Sequence, residues 1–424
     1  MQKSLLFLVI FSAAWVCRGQ QPAKEKAQEA FQAADYPLAL QWLHQAREQD
    51  PDDAEVWYYL GYFSHYLVYD SRPFAQQGME WSQQQVISNL EKALELDPSM
   101  GNARYFLGVE HASRAWEYLK QGNRKRFEEE YQKAYDKGGL PPWMIEEGRN
   151  QLRACPPDAI LFINGDLYHN AITWLQAIEG YRTDVSVVTL ALLQRPWHLK
   201  IYRDGLPGLN RPVPLSWTDE QLGALRNYKW RPKEISIPIP GQLNSKYQVD
   251  ASEDTLQWLI EPDLISPSRA TFLSPGMAAF LDIVEQNQWQ RPVFLSMGMV
   301  TSLPVEEYRR QVGPIVQLLP FNTEQHQLAM DAEATHGFYF NDQHFKDFHT
   351  LATHDFPRVS GVMFNHHIVL LNLCHHYYDQ QQWDLALQAL HRIDTLFPSN
   401  ILPVSDDLRQ FMNELEQDIL EQKD

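Results

Sequence analysis

The stretch 159–197 constrains the fold more than any other part of the sequence. A short apolar run ends at Gly165-Asp166, an amphipathic segment follows, and a longer apolar run occupies residues 185–193. This order predicts strand, helix and strand, at a spacing typical of one right-handed βαβ unit with parallel strands. The patterns before and after the central region are helical. We therefore expect a mainly α-helical protein with a small α/β module, whose parallel sheet is Rossmann-like.

The first nineteen residues have the layout of a secretory signal peptide. Residues 1–19 hold one lysine, then an apolar run, then small or polar residues. We expect cleavage near Gly19-Gln20 and a mature chain that is periplasmic or extracellular. Lipid anchoring at Cys17 is a lesser alternative, because the residues before it fit the lipoprotein signal poorly. No later segment approaches about 18 consecutive apolar residues, so we expect no transmembrane segment in the mature chain.

Charge and cysteine content exclude some classes of function. The formal net charge is −18, and no basic stripe is visible, which argues against binding to nucleic acid. Cys155 and Cys374 are the only cysteines expected after cleavage. They could form one disulfide or stay as two separate buried thiols, and the sequence leaves both open.

Helical repeats are predicted for residues 20–153. Trp57, Leu60 and Gly61, followed by Ala93 and Pro98, resemble the two helices of a tetratricopeptide (TPR) repeat. Similar patterns precede and follow this unit at an irregular period. In that family the first helix of each repeat lines a concave groove, which implies as partner-groove residues Phe31, Tyr58, Tyr62, His65, Asn102 and Tyr105. The alternative is that these side chains only pack between helices.

The region 321–424 is also predicted to be helical. Residues 367–400 fit the TPR repeat closely, and a capping helix is expected after Ser405. Several histidines occur here, but His367 and His375 are two helical turns apart with no glutamate between them. We therefore expect no metal site, and no cofactor.

The central module is expected to span residues 156–320, interrupted by an irregular insertion at about 203–274. In open parallel sheets, ligands bind beyond the carboxyl ends of the strands. The loops predicted there contain the candidate ligand-binding residues Asp166, His169, Asn170, Arg195 and Trp197. Three of them have a structural alternative: Asp166 as a helix cap, and His169 and Arg195 as solvated loop residues. No nucleophile elbow, phosphate loop or dinucleotide fingerprint is present.

Residues 163–197, with 287–298, resemble the soluble C-terminal part of large bacterial membrane proteins related to protein O-mannosyltransferases, which are common in Bacteroidetes. In those proteins a membrane-embedded, glycosyltransferase-like half precedes this extracytoplasmic module and helical repeats. The family pattern begins Asn-Gly-Asp-Asn-Asp-Thr, and in this chain Leu167, Tyr168 and His169 replace its last three residues. The chain keeps Asn164, Gly165, Asp166, Gln176, Glu179, Gly180, Arg182, Thr183, Asp184 and Val185.

Together these patterns favour a secreted or periplasmic scaffold that binds a protein or peptide partner in the cell envelope. Because the second carboxylate of the family pattern is absent, and paired carboxylates are typical of acid–base chemistry, we expect a protein that is not an enzyme. The alternative is a sugar- or small-ligand-binding protein, or a glycan-related enzyme, that uses the carboxyl edge of the central sheet.

Overall fold

The computed structural model describes residues 22–69, 82–299, 303–351 and 356–423. The predicted signal peptide and Cys17 lie outside these residues. The described chain is mainly helical and divides into two compact units, the first ending at Asp97 and the second beginning at Pro98. The predicted domain boundary near residue 153 does not coincide with this division, because three further helices belong to the second unit. Each unit is described by itself.

The first unit consists of two helical hairpins. Its helices are α1 (Ala23–Gln32), α2 (Tyr36–Gln49), α3 (Ala54–Tyr69) and α4 (Gln83–Leu96). The side chain of Asp35 caps α2 by accepting a hydrogen bond from the Leu38 amide at 3.1 Å. A Cβ atom at Gly61 would lie 2.7 Å from the side chain of Leu90. The glycine therefore lets α3 and α4 approach closely, as its place in the repeat pattern predicts.

The second unit begins with α5 (Gly101–Lys120), α6 (Arg124–Asp136) and α7 (Pro142–Ala154). Helices α5 and α6 form a third hairpin. A Cβ atom at Gly108 would lie 2.7 Å from the Cα atom of Gly139, so α5 packs directly on the backbone that follows α6. Helix α7 then packs against the first helix of the central module and leads the chain into the sheet.

The predicted βαβ unit is present. Strand β1 (Ile160–Ile163), helix α8 (Asp166–Ala177), strand β2 (Ser186–Thr189) and helix α9 (Pro196–Asp204) follow in order. Strands β1 and β2 pair in parallel, with Ile160 opposite Ser186. All four residues of β1 are buried, as expected for a strand that is covered on both faces.

The insertion is more regular than the sequence suggested. It contains short helices and two small antiparallel sheets, which form a cover packed into the main core. The order of its elements, with the helix that follows, is α10 (Asp219–Gly223), β3 (Tyr228–Lys229), β4 (Lys233–Pro238), α11 (Gly241–Tyr247), β5 (Thr255–Ile260), β6 (Leu264–Ile265), β7 (Thr271–Leu273) and α12 (Pro275–Asn287). The expectation of few regular elements underestimated this region, because most of its strands are very short.

The main sheet is mixed, so the prediction of a parallel sheet is only partly correct. The chain returns as β8 (Val293–Ser296), which pairs in parallel with β1. Strands β9 (Arg309–Val312) and β10 (Ile315–Leu318) form a hairpin that extends the sheet in antiparallel fashion. The strand order is β2-β1-β8-β10-β9. On one face Phe162 meets Phe280 of α12, with ring centroids 5.0 Å apart.

The C-terminal part is helical. After α13 (Ala332–Tyr339), helices α14 (Phe364–Asp379) and α15 (Trp383–Leu396) form a hairpin at the position of the predicted repeat. Helix α16 (Asp406–Lys423) packs on α15. The hydroxyl of Ser405 accepts a hydrogen bond from the Leu408 amide at 3.2 Å and so caps α16.

A buried carboxylate links these parts of the second unit. Glu147 of α7 contacts His366 of α14 at 2.9 Å and accepts hydrogen bonds from Tyr168 of α8 at 3.1 Å and from Gln151 at 2.9 Å. The other ring nitrogen of His366 lies 2.8 Å from the hydroxyl of Tyr339. Burial alone would raise the pKa of Glu147, but His366 and the two hydrogen bonds lower it overall.

We expect His366→Ala to destabilise the protein strongly. The substitution leaves the buried carboxylate of Glu147 without the imidazole that contacts it at 2.9 Å, and an uncompensated buried charge typically costs roughly 3–5 kcal/mol. The free energy of unfolding, measured by urea denaturation, should fall by an amount of that order. His375→Ala, an exposed position on the same helix, is the matched control and should leave the midpoint unchanged. Equal midpoints for both variants would contradict this role of Glu147.

Candidate functional site

The five predicted ligand residues lie at or near the carboxyl ends of β1 and β2. Asp166 is the first residue of α8, where the helix dipole favours a negative charge, and its side chain is exposed. Gly165 precedes it with a φ of 84°, a conformation that favours glycine. Arg195 is exposed just before α9. These two charged residues therefore face solvent at the rim.

An aromatic cluster closes this edge of the sheet. Trp116 of α5 stacks on His169, with ring centroids 5.2 Å apart and an interplanar angle of 28°. The same indole meets Trp197 at 6.1 Å and His198 at 5.4 Å. Its Nε1 donates a hydrogen bond to the hydroxyl of Tyr131 at 3.0 Å. We call Trp116, His169, Trp197 and His198 the edge cluster.

Both histidines of the edge cluster are neutral near pH 7. Burial lowers the pKa of His169 to about 4. Burial, together with the proximity of His169 and the charge of Arg195, lowers the pKa of His198 to about 3. His169 Nδ1 lies 2.9 Å from the hydroxyl of Thr189 at the end of β2. The rings of the edge cluster are thus uncharged, and the contact between His169 and Thr189 links the cluster to the sheet.

The edge cluster is packed rather than open. The cavity between Trp116, His169 and Thr189 has a volume of only about 20 Å³, which is room for about one water molecule. Asn170 is buried and accepts a hydrogen bond from Tyr131 at 3.4 Å. The structure therefore brings His169, Asn170 and Trp197 together around Trp116, and leaves Asp166 and Arg195 at the surface. Their role in ligand binding stays a prediction.

Trp116 was not among the sequence-predicted site residues. It lies on a helix of the third hairpin, far from residues 159–197 in sequence, and the repeat pattern gives it no special position. Only the packing of α5 against α8 brings it to the sheet edge.

The residues kept from the family pattern have structural roles. Arg182 donates hydrogen bonds to the carbonyl oxygens of Leu152 at 2.8 Å and Cys155 at 2.9 Å, and forms an ion pair with Asp184 at 2.7 Å. The side-chain amide of Gln176 donates to the carbonyl oxygens of Arg182 at 3.0 Å and Val185 at 2.9 Å. These contacts fix the turn between α8 and β2 and join it to the end of α7.

The first unit contains an open groove between α2, α3 and α4, with a volume of about 910 Å³. Its lining is apolar in part and has uncharged polar side chains as well as one arginine. We call this the hairpin groove and define it by Leu40, Gln41, His44, Arg47, Leu60, Ser64, Leu67, Gln85, Val86 and Asn89. Burial, together with Arg47, lowers the pKa of His44, so this histidine is neutral near pH 7.

The predicted partner-groove residues do not line the hairpin groove. Tyr58, Tyr62 and His65 are buried, and Phe31 stacks on Phe63 with ring centroids 4.0 Å apart. In the second unit, Tyr105 is buried, and the side chain of Asn102 accepts a hydrogen bond from the Arg358 amide at 3.3 Å. These placements fit packing between helices, and a role in partner binding stays a prediction.

A second large cavity lies in the insertion, with a volume of about 770 Å³. Residues of α10, β3, β4 and α12 surround it, and none of them was singled out from the sequence. We call it the insertion cleft and define it by Trp217, Gln221, Arg226, Tyr228, Lys229, Trp230, Lys233, Glu234, Asp282 and Glu285. In the sequence, tryptophan and tyrosine are frequent in this proline-rich stretch, but this pattern does not indicate that their side chains share a cavity.

The structure also describes the two cysteines. Cys155 and Cys374 are both free, so the possible disulfide is not formed. Burial raises the pKa of each thiol to about 12. Within the described ranges, no group of three or more potential metal ligands comes together. Among the helices that the structure describes, none combines the length and apolar character needed to cross a membrane.

The central region is similar to a known protein family. Residues 144–260 match the family described as TMEM260-associated domain 2. A curated relative is Protein O-mannosyl-transferase TMEM260 of Mus musculus, which is 41% identical over 64 residues. The match covers 15% of this chain and 9% of that protein, so the chain spans less than a tenth of its relative's length.

Solved structures give weak overall similarities. The TPR2AB domain of yeast Sti1 in complex with pHSP90 has 10% sequence identity and a TM-score of 0.21, covering 94% of this chain and 96% of that chain. The TPR domain of P58(IPK) has 13% identity and a TM-score of 0.19, covering 95% and 98%. Because these TM-scores are low, the description of the helical hairpins rests on their own packing.

The prediction that the protein is not an enzyme is contradicted. It was based on the loss of the second carboxylate from the family pattern, yet the matching relative is named as a protein O-mannosyl-transferase. The prediction inferred function from the loss of one carboxylate, whereas Arg182 and Gln176, two of the residues kept from this pattern, hold the turn between α8 and β2.

We expect the edge cluster to make stability depend on pH. Because the pKa values of His169 and His198 in the folded chain lie below the ordinary value of 6.5, protons bind more readily to the unfolded chain. The free energy of unfolding should therefore decrease as the pH falls from about 6.5 toward 4. His198→Phe removes one of the two groups and should weaken this dependence.

The measurement is the urea midpoint at pH 7 and pH 5 for the wild type and for His198→Phe, with His375→Ala as the control for loss of an exposed histidine. The difference between the two midpoints should be smaller in His198→Phe than in the other two proteins. An identical pH dependence in all three would show that His198 is not held neutral by its surroundings.

Proposed function

We propose that the chain is an extracytoplasmic protein that binds a polypeptide through its N-terminal helical hairpins and acts in protein O-mannosyl transfer. The first part of this proposal, polypeptide binding, rests on the hairpin groove. The match of residues 144–260 to TMEM260-associated domain 2 supports the second part.

The hairpin groove has the composition of a peptide-binding surface. Leu40 and Leu67 are half-buried on its apolar side, where they can receive apolar side chains. Gln41 and Gln85 are exposed on its polar side, and their amides can pair with the backbone of an extended segment. Its volume of about 910 Å³ is at the upper end of the range typical of ligand pockets. An apolar floor with a polar rim is the usual anatomy of such interfaces.

The link to mannosyl transfer comes from the relative. Its name describes an enzyme that transfers mannose to protein, so its acceptor is a polypeptide. In this proposal the hairpin groove holds a segment of such an acceptor, or of a partner protein, while the α/β module belongs to the transfer system.

The finer parts of the prediction belong to the same proposal. The layout of residues 1–19 supports export, and a periplasmic or secreted location follows from it. Assignment of the hairpins to the TPR family is supported by the packing of their helices in successive pairs and by the small residue at Gly61. The Rossmann-like description is supported by the parallel β2-β1-β8 part of the sheet. A bacterial origin of the Bacteroidetes type rests on the resemblance alone.

We expect Leu40→Ser to weaken peptide binding by at least about fivefold, because it removes apolar surface from the floor of the groove, at a cost of about 1 kcal/mol. The experiment screens an array of extended 12-residue peptides rich in serine and threonine. The strongest binders are then measured by fluorescence polarisation with the full chain. Leu38→Ser, on the same helix but outside the groove, is the matched control and should bind as the wild type does.

Two results would contradict the proposal. One is the absence of saturable binding to any peptide of the array. The other is equal loss of binding in Leu40→Ser and Leu38→Ser, since that would place the contact outside the groove. The midpoint of thermal unfolding, recorded for each variant, separates loss of binding from loss of folding.

A further inference from the structure

The insertion cleft is lined by three aromatic side chains. Trp217 precedes α10, Tyr228 begins β3, and Trp230 follows that strand. All three are half-buried, and each packs on one side against the main hydrophobic core of the second unit. Such rings lose little conformational entropy on binding, because the core already holds them. The cleft therefore offers rigid aromatic surfaces at the border of the solvent.

Hydrogen bonds fix two of these rings further. The indole Nε1 of Trp230 donates to the carbonyl oxygen of Ile260 at 3.0 Å. Ser216, next to Trp217, donates from both its amide and its hydroxyl to the carboxylate of Asp282, each at 2.7 Å. The rings of Trp217 and Tyr228 lie 6.1 Å apart at an angle of 56°, so they form two walls rather than one stacked pair.

The charges around the cleft balance. Three cationic and three anionic side chains line it, namely Arg226, Lys229, Lys233, Glu234, Asp282 and Glu285. A site for a phosphate or nucleotide would need a clear excess of positive charge. A purely apolar ligand would leave these charged groups partly desolvated without partners, which is costly. The cleft is thus suited to a ligand that is neutral and rich in hydrogen-bonding groups.

We propose that the insertion cleft binds a neutral saccharide, either one hexopyranose unit or a short oligosaccharide. The C–H faces of a pyranose ring are apolar and can lie on the indole of Trp217, whereas the ring of Trp230 already has Lys233 Nζ over it, 5.9 Å from the ring centroid. Its hydroxyl groups can donate to the carboxylate of Glu285 and accept from Lys229 or Arg226. The volume of about 770 Å³ accommodates more than one sugar ring. This inference concerns a different cavity from the hairpin groove and does not depend on peptide binding there.

The experiment titrates the full chain with mannose and with linear manno-oligosaccharides of two and three units. Binding is followed by saturation-transfer NMR and by calorimetry. We expect saturable binding that grows stronger with chain length. Trp217→Ala should weaken it by at least about tenfold, because a central aromatic contact is removed. Trp217→Phe should retain most of the affinity, and Glu285→Ala should lose part of it through one hydroxyl contact.

Trp42→Ala is the matched control, because Trp42 is also half-buried but lies in the first unit. It should bind saccharide as the wild type does. Inorganic phosphate and a serine-rich 12-residue peptide are the comparison ligands. The proposal is overturned if no saccharide binds saturably, or if a folded Trp217→Ala protein binds as well as the wild type. It is also overturned if the peptide, and not the saccharide, binds in a Trp217-dependent way. Loss of peptide binding in the Leu40→Ser variant has no bearing on this result.

Discussion

The buried carboxylate of Glu147 is the constraint on which the second unit depends. A charge removed from water is tolerated when its oxygen atoms are fully paired, and here the partners lie on three helices. His366 belongs to the C-terminal hairpin, Tyr168 to the βαβ unit, and Gln151 to α7, the same helix as Glu147. The last helix before the sheet, the βαβ unit and the C-terminal hairpin are therefore joined through one buried group.

The sequence predicted three of the five strands of the main sheet and missed the hairpin that completes it. Strands β1 and β8 are buried and mostly apolar, and β2, at one edge of the sheet, lies in the apolar run 185–193. Strand β9 begins with Arg309-Arg310-Gln311 and is the last strand at the other end of the sheet, where Gln311 makes an isolated bridge to Met330. Because β9 is polar, its sequence does not resemble the apolar run expected of a buried strand, and it was not predicted. A hairpin of two four-residue strands gives too short a pattern for alternation to be recognised.

The residues of the candidate sites also divide into those that the sequence could place and those that it could not. Residues such as His169 could be placed from the sequence, because the carboxyl end of a predicted parallel strand is a defined location. Trp116 could not, since only tertiary packing brings α5 to that edge. The insertion cleft depends on α10, α12 and several strands of two to six residues, and no local pattern indicates that they meet. The position of each open cavity is thus a property of packing between distant segments.

Tyr168 shows how the βαβ unit can keep a family pattern without keeping an acidic pair. At this position the related module has a carboxylate, whereas here the hydroxyl of Tyr168 points into the core and donates to Glu147. The helix N-terminus consequently has one acid, Asp166, and the strand edge is covered by the ring of Trp116. Because these side chains fill the carboxyl edge of the sheet, the cavity there has a volume of only about 20 Å³. The hairpin groove and the insertion cleft, by contrast, are large open cavities in the described chain.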